Sequence, residues 1–128
     1  LSPAIGGIVV GYEIGRQLNI ETIFAERLDG SLVLRRGFQI PKNSKVLIVE
    51  DVITTGKSAL ECSKLVSNSK AQIIGYACLI NRSDNKIEIS DNIVSQIKIS
   101  IKTYTSKSIP SELKKLKPTK PGSRNLFK

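Results

Sequence analysis

Val46-Leu-Ile-Val49 runs straight into Glu50-Asp-Val-Ile-Thr-Thr-Gly-Lys-Ser58, and Ala59 to Val66 follows with helical character. The apolar run is mostly β-branched, which predicts a strand buried on both faces, as in a parallel sheet. The stretch after it is polar and contains one glycine. Leu60, Leu65 and Val66 then give the next segment an inward face. Ile73 to Ile80 is a second apolar run of strand length. Strand, loop, helix, strand is a βαβ unit, so the expected class is α/β, a mostly parallel sheet flanked by helices.

Upstream, Ile8 to Leu18 suits a helix in which Ile8, Tyr12 and either Gln17 or Leu18 recur near helical spacing. Gly11 and Gly15 interrupt it but would allow close packing on a sheet. Thr22 to Ala25 is β-prone, and Asp29-Gly30 followed by Leu32-Val33-Leu34 signals a hairpin. Pro41 to Ser44 reads as a turn. Downstream, Ile97 to Ile101 alternates apolar and polar residues, as an edge or half-exposed strand would.

In open parallel sheets, ligands bind beyond the carboxyl ends of the strands. Glu50 and Asp51 stand at such an end, and the turn that follows enters a helix. A helix N-terminus offers unpaired N–H groups and partial positive charge, a ready site for a phosphate. Thr55 and Ser58 add hydroxyl donors, Gly56 permits close backbone approach, and Lys57 adds charge. Adjacent carboxylates repel phosphate, so their partners must differ: vicinal sugar hydroxyls, or a magnesium ion. Taken singly, such acids are often solvated, and Thr or Ser before a helix is often only a cap. Their union in one unbroken turn favours the ligand reading. Gly56-Lys57-Ser58 also matches the end of a P-loop, G-x-x-x-x-G-K-[ST], but that motif requires glycine where Asp51 stands. The P-loop reading fails.

A chain of 128 residues has room for one hydrophobic core, and 40% apolar content spread along it marks a globular protein. No apolar run approaches the roughly 20 residues that span a bilayer, so a soluble, cytoplasmic protein without a membrane partner is expected. Cys62 and Cys78 lack metal-ligand spacing and sit among apolar neighbours, as small buried hydrophobes do. The net charge of +9 is local: from Lys98 onward there are nine bases and one acid, Glu112. The first 97 residues carry eleven bases and ten acids. We therefore expect a core over 1–104 and a solvated basic tail over 105–128, without a nucleic-acid partner. The chain has no methionine and opens abruptly at Leu-Ser-Pro-Ala-Ile-Gly-Gly, which reads as a fragment whose first loop has lost its preceding strand.

The stretch VLIVEDVITTGKSA resembles the phosphoribosyltransferase fingerprint at every position: apolar strand, two acids, two further residues, then T-[TA]-G-x-[ST]. SPAIGGIVVGYEIGRQL looks like the pyrophosphate-loop and helix segment of the orotate enzymes in that type I family. FAERLDGSLVLRRGFQI looks like the hairpin and flexible loop of one bacterial and archaeal subgroup, and KPTKPGSR is similar to its C-terminus. The resemblance implies a Rossmann-like core with a β-hairpin flexible loop, from which an N-terminal hood is missing.

By position, it implies that Glu50 and Asp51 bind the ribose of phosphoribosyl pyrophosphate (PRPP), within a binding stretch that includes Val52, Ile53 and Thr54. Thr55, Gly56, Lys57 and Ser58 would wrap the 5′-phosphate. Gly6 and Gly7 would lie near the pyrophosphate. Thr54 and Arg82 would contact orotate, with the planar arginine fork pairing its carboxylate. Arg27, Arg35 and Arg36 would supply the loop bases. The better-known loop carries a histidine, and this chain has none. The resemblance further implies Mg²⁺ as cofactor, no protein metal ligands, and a homodimer whose loop reaches the neighbouring subunit. The implied reaction is transfer of the phosphoribosyl group to orotate. A purine-base enzyme of the same family and a PRPP-sensing regulator are the alternatives.

Overall fold

The computed structural model describes residues 1–83, 87, 89, 92–102, 104, 105 and 107–117. The chain order is β1 (Ser2–Pro3), α1 (Gly6–Leu18), β2 (Phe24–Leu28), β3 (Ser31–Leu34), β4 (Lys45–Ile53), α2 (Lys57–Asn68), β5 (Gln72–Asn81), β6 (Ile93–Lys98) and α3 (Ser111–Lys114). The closing KPTKPGSR stretch lies outside the described residues from Pro118 onward.

β4, β5 and β6 form a parallel three-stranded sheet, with Ile48 opposite Tyr76 and Tyr76 opposite Ile93. β1 pairs parallel with β2, and β2 pairs antiparallel with β3. Leu1 joins these two sheets: its N donates to Leu47 O and its O accepts from Val49 N, each at 2.9 Å. That is the pattern of a parallel pair around Ile48. The strands thus run β3-β2-β1-β4-β5-β6. From the middle, the β1–α1–β2 unit winds one way and β4–α2–β5 the other. The seam between β1 and β4 is where such a sheet opens a crevice.

The core gathers Ile48, Ala59, Cys62, Val66, Tyr76 and Cys78 between α2 and the sheet, and Ile53, with Ala25 and Leu32 from the hairpin side, belongs to the same cluster. The expected βαβ unit is present, and the Pro41–Ser44 turn closes with Ser44 N and Oγ donating to Pro41 O. Asp29 and Gly30 both take positive φ, 48° and 85°, the conformation that a two-residue hairpin turn demands.

Several expectations are corrected. β4 does not stop at Val49 but runs on to Ile53, so both acids lie in the strand and the loop shrinks to Thr54–Gly56. The opening residues form β1 rather than a loop. The strand placed at 97–101 lies instead at Ile93–Lys98, and that at 22–25 lies at Phe24–Leu28. On α1 the close packing expected of Gly11 and Gly15 is present and Gly7 joins them, but of the expected apolar positions only Ile8 is half-buried, while Tyr12 and Leu18 are exposed. The glycines let α1 lie close on the sheet: a β-carbon on Gly7 would come within 3.0 Å of Val49 O, and one on Gly11 or Gly15 would strike the Ser2 or Thr22 side chain.

Candidate functional site

The two acids owe their disposition to the strand that carries them. Successive residues of a strand point to opposite faces. Glu50 pairs with Cys78 and turns toward α2, where its charge helps keep the Cys62 thiol protonated. Asp51 turns toward α1, and its carboxylate fills the space where a β-carbon on Gly6 would go. Glu50 is 8% exposed. Two compartments adjoin this strand end, and both acids reach each of them.

Those compartments are adjoining clefts of about 470 Å³ and 530 Å³. The first is lined by Arg27, Gly30, Val52 and the turn residues Thr54, Thr55, Gly56, Lys57 and Ser58. The second is lined by the start of α1, including Gly6 and Gly7, with Glu26. Glu50, Asp51, Arg27 and Ser58 line both, so the clefts form one groove across the seam. Of the predicted stretch, only Ile53 turns away, its side chain 1% exposed in the core.

Gly56 opens α2 with φ 73°, and no side chain caps the helix. The first-turn amides of α2 thus point into the first cleft with little competition, since Lys57 N reaches Thr55 Oγ1 only at 3.4 Å. α1 also begins without a side-chain cap, at the second cleft. Two helix N-termini and two carboxylates share the groove, an arrangement suited to a ligand with phosphates at both ends and hydroxyls between.

Of the three arginines in the hairpin region, Arg27 alone lines the clefts among the described residues. Arg36 forms a bidentate pair with Glu26 through Nη2 at 2.8 Å and Nε at 3.1 Å, and Arg35 Nε stands 4.0 Å from Glu26. Arg36 holds the Glu26 carboxyl below its usual range. Arg82 lies at the same rim, its N–H donating to Ile53 O at 2.7 Å, but lines neither cleft. Its Nε is buried without a hydrogen-bond partner among the described residues. Burial raises the thiol pKa of Cys78 and pushes that of Cys62 up to about 12, which removes both as nucleophiles at neutral pH.

Three contributors escaped the sequence reading. Glu26 lines the second cleft, Glu61 holds Arg27, and Asn81 Oδ1 accepts from Ser83 N and Oγ at 2.9 and 2.6 Å, shaping the turn that carries Arg82. An Asn-x-Ser at a strand end is a recognisable Asx-turn signal. Glu61 offered none, because its partner lies 34 residues away.

The profile of the family described as phosphoribosyl transferase domain matches residues 1–111. The chain is similar to the orotate phosphoribosyltransferase of Methylorubrum populi, 46% identical over 129 residues, covering 100% of this chain and 66% of that protein. It is also similar to that of Chlorobium phaeobacteroides, 44% identical over 97% of this chain and 64% of the relative. The chain thus spans just under two thirds of these relatives' length. In fold it resembles the adenine phosphoribosyltransferase of Thermoanaerobacter pseudethanolicus, with a TM-score of 0.65, 19% identity and coverage of 77% and 67%. The orotate phosphoribosyltransferase of Aeropyrum pernix gives 0.62, 18%, 77% and 58%.

Proposed function

This chain belongs to the phosphoribosyl transferase domain family, and from that membership we propose that it carries the transfer site of an orotate phosphoribosyltransferase. The reaction moves the phosphoribosyl group of PRPP to N1 of orotate, giving orotidine 5′-monophosphate and pyrophosphate, a step of pyrimidine (UMP) biosynthesis. The observation that carries this reading is the groove itself, where Glu50 and Asp51 lie between the N-termini of α1 and α2. The names of the relatives support orotate as the acceptor.

In this reading the amides of α2, with the Thr55 and Ser58 hydroxyls and Lys57, hold the 5′-phosphate. Glu50 and Asp51 accept hydrogen bonds from the ribose hydroxyls. Gly6 and Gly7 present backbone donors to the pyrophosphate. The bond from the anomeric carbon to pyrophosphate breaks, its electron pair leaving with that group, as the N1 lone pair forms the new bond. Arg27, set over both clefts, offsets the charge growing on the leaving group, and Arg35 and Arg36 supplement it from the hairpin. Arg82 pairs with the orotate carboxylate, and Thr54 contacts the base. Orotate N1 is acidic enough to need no strong protein base, which suits a chain without histidine.

The donor set suits Mg²⁺. Glu50 and Asp51 offer hard oxygens, while the described residues hold no cluster of three or more acidic, cysteine or histidine side chains able to cage a metal. Mg²⁺ needs no such cage, since it commonly keeps several waters and takes substrate phosphates as ligands, which would leave these carboxylates to the ribose hydroxyls and beside the ion. Bound there, it would supply charge neutralisation at the pyrophosphate.

The reading extends to a cytoplasmic homodimer. Val9 and Tyr12 on α1, with Ile5 just before it, form an exposed stripe, 75%, 63% and 85% accessible, which supports self-association. The free, buried Cys62 and Cys78 suit a reducing compartment, and no described helix is long and apolar enough to cross a membrane. We place the boundary between core and basic tail at residues 104 and 105. The end of β6 at Lys98 and the absence of buried residues in α3 support that division.

Incubating the intact protein with orotate, PRPP and Mg²⁺ should bleach orotate absorbance only when PRPP is present. Turnover of a purine base without turnover of orotate would move the assignment to a sister enzyme. Binding of PRPP without transfer to any base, together with salt-dependent DNA binding, would make the chain a regulator.

A further inference from the structure

Glu61 has no part in the chemistry above, yet it ties the hairpin to α2. Its Oε2 accepts from Arg27 Nη1 at 3.0 Å and from the Leu32 backbone N–H at 3.2 Å. Arg27 Nη1 also donates to Gly30 O at 2.5 Å. Arg27 and Leu32 are cross-strand partners in the hairpin, so one carboxylate oxygen clamps both of its strands.

The position of Glu61 on α2 gives the clamp its meaning. Ser58 and Glu61 are three residues apart and share a helix face. Ser58 lines both clefts. The helix that begins in the groove therefore sets, one turn later, where the cleft-lining guanidinium sits. An exposed ion pair would do this poorly. The Arg27 side chain is 37% accessible, but Glu61 is only 19% accessible and is anchored a second time by the part-buried Leu32 amide, so the anchor does not depend on the ion pair alone. Arg35 and Arg36 pair with Glu26 on their own hairpin, a contact that says nothing about their place relative to α2.

We propose that Glu61 is a positioning residue, which aims Arg27 at the anionic ligand of the groove and fixes the hairpin against α2. The identity of that ligand rests on the phosphoribosyl-transfer reading; the clamp itself rests on geometry alone. Arg27 Nη1 makes both the Glu61 and the Gly30 contacts, so the guanidinium can offer Nη2 to a phosphate oxygen while the clamp holds.

The test uses the intact protein and four variants: Glu61→Ala, Glu61→Gln, Arg27→Ala and the Arg27→Ala/Glu61→Ala double. PRPP with Mg²⁺ is titrated calorimetrically, KM values for PRPP and orotate are measured separately, and amide exchange is followed at Leu32. Glu61→Ala should weaken PRPP binding about tenfold, the size of a lost charge-assisted contact, with the orotate KM unchanged. The double variant should bind PRPP no worse than Arg27→Ala, since Glu61 acts through Arg27. Glu61→Gln, whose amide oxygen still accepts from Leu32, should recover part of the affinity and all of the Leu32 protection. Additive losses in the double variant would overturn the proposal, as would unchanged Leu32 exchange in a folded Glu61→Ala protein. If the unaltered protein fails to bind PRPP, the transfer reading falls, and Leu32 exchange in Glu61→Ala against Glu61→Gln still decides the clamp.

Discussion

The Asp51 carboxylate rests against the α-carbon of Gly6, the first residue of α1, leaving no room for a side chain there. The acid at the end of one central strand and the helix that follows the other are thereby packed in contact. A carboxylate at a helix N-terminus is favoured by the helix dipole as well.

Gly6→Ala should therefore displace either Asp51 or the start of α1. We expect PRPP affinity to fall about tenfold or more, the cost of misplacing one charged hydrogen-bonding group. Titration calorimetry reads the loss, and an unchanged circular dichroism spectrum would show that the fold persists. Full affinity in the folded variant would mean that Asp51 does not work from this position.

Arg82→Ala separates the two substrates. Its Nε is buried and unpartnered among the described residues, at the rim beside Ile53. The KM for orotate should rise about tenfold to a hundredfold while that for PRPP stays within about twofold. Arg82→Lys should not restore orotate binding, because an ammonium lacks the bidentate fork. Equal losses for both substrates would remove Arg82 from the base site.

Tyr76 probes the packing behind the groove. Its hydroxyl shares a 2.9 Å hydrogen bond with Ser63 Oγ, which also donates to Ala59 O at 2.8 Å. Tyr76→Phe should lower stability by about 1 kcal/mol in urea unfolding, with KM values unchanged. A loss of activity without a loss of stability would show that this contact serves the site instead.

Cys62 should make stability fall in alkali. Burial, then the nearby Glu50 charge, raises its pKa from 9.0 to about 12. Below pH 9 both folded and unfolded chains carry the neutral thiol, and the contribution is whole. Between pH 9 and 12 the unfolded state gives up the proton while the folded state keeps it, costing about 1.4 kcal/mol per pH unit for this group. Cys62→Ala should flatten the slope over that range, and native Cys62 should resist thiol reagents at pH 8 until denaturant is added. Rapid labelling of the native protein would contradict its burial.

The parts of this protein legible in its sequence are those written in contiguous residues. Val46–Val49, the turn through Ser58 and the Ile73–Ile80 run were enough for the βαβ unit, because strand burial and helix entry are local patterns. Asp29-Gly30 located the hairpin for the same reason. The extent of β4 was harder to see: Glu50 and Asp51 look like loop residues, and only pairing with Cys78 and its neighbours keeps them in the strand.

Long-range contacts were less legible. Apolar periodicity misplaced Tyr12 and Leu18 on α1 because it assumes that helices bury large side chains, whereas this one buries Gly7, Gly11 and Gly15. The arginines of the hairpin looked equivalent in sequence, yet Arg27 lines the clefts and Arg36 is taken by Glu26, a division that depends on strand alternation and turn geometry.

The glycine face of α1 has a mechanical consequence. Long side chains that interlock can hop between rotamers and let a helix drift by fractions of an ångström, but glycine backbone seated on the Val49 carbonyl and the short side chains of Ser2 and Thr22 has little such play. The height of α1 above the sheet is set as if by a shim, and its leading end inherits that tolerance. Whatever anion docks there meets amides whose location is governed by stiffness rather than by repacking.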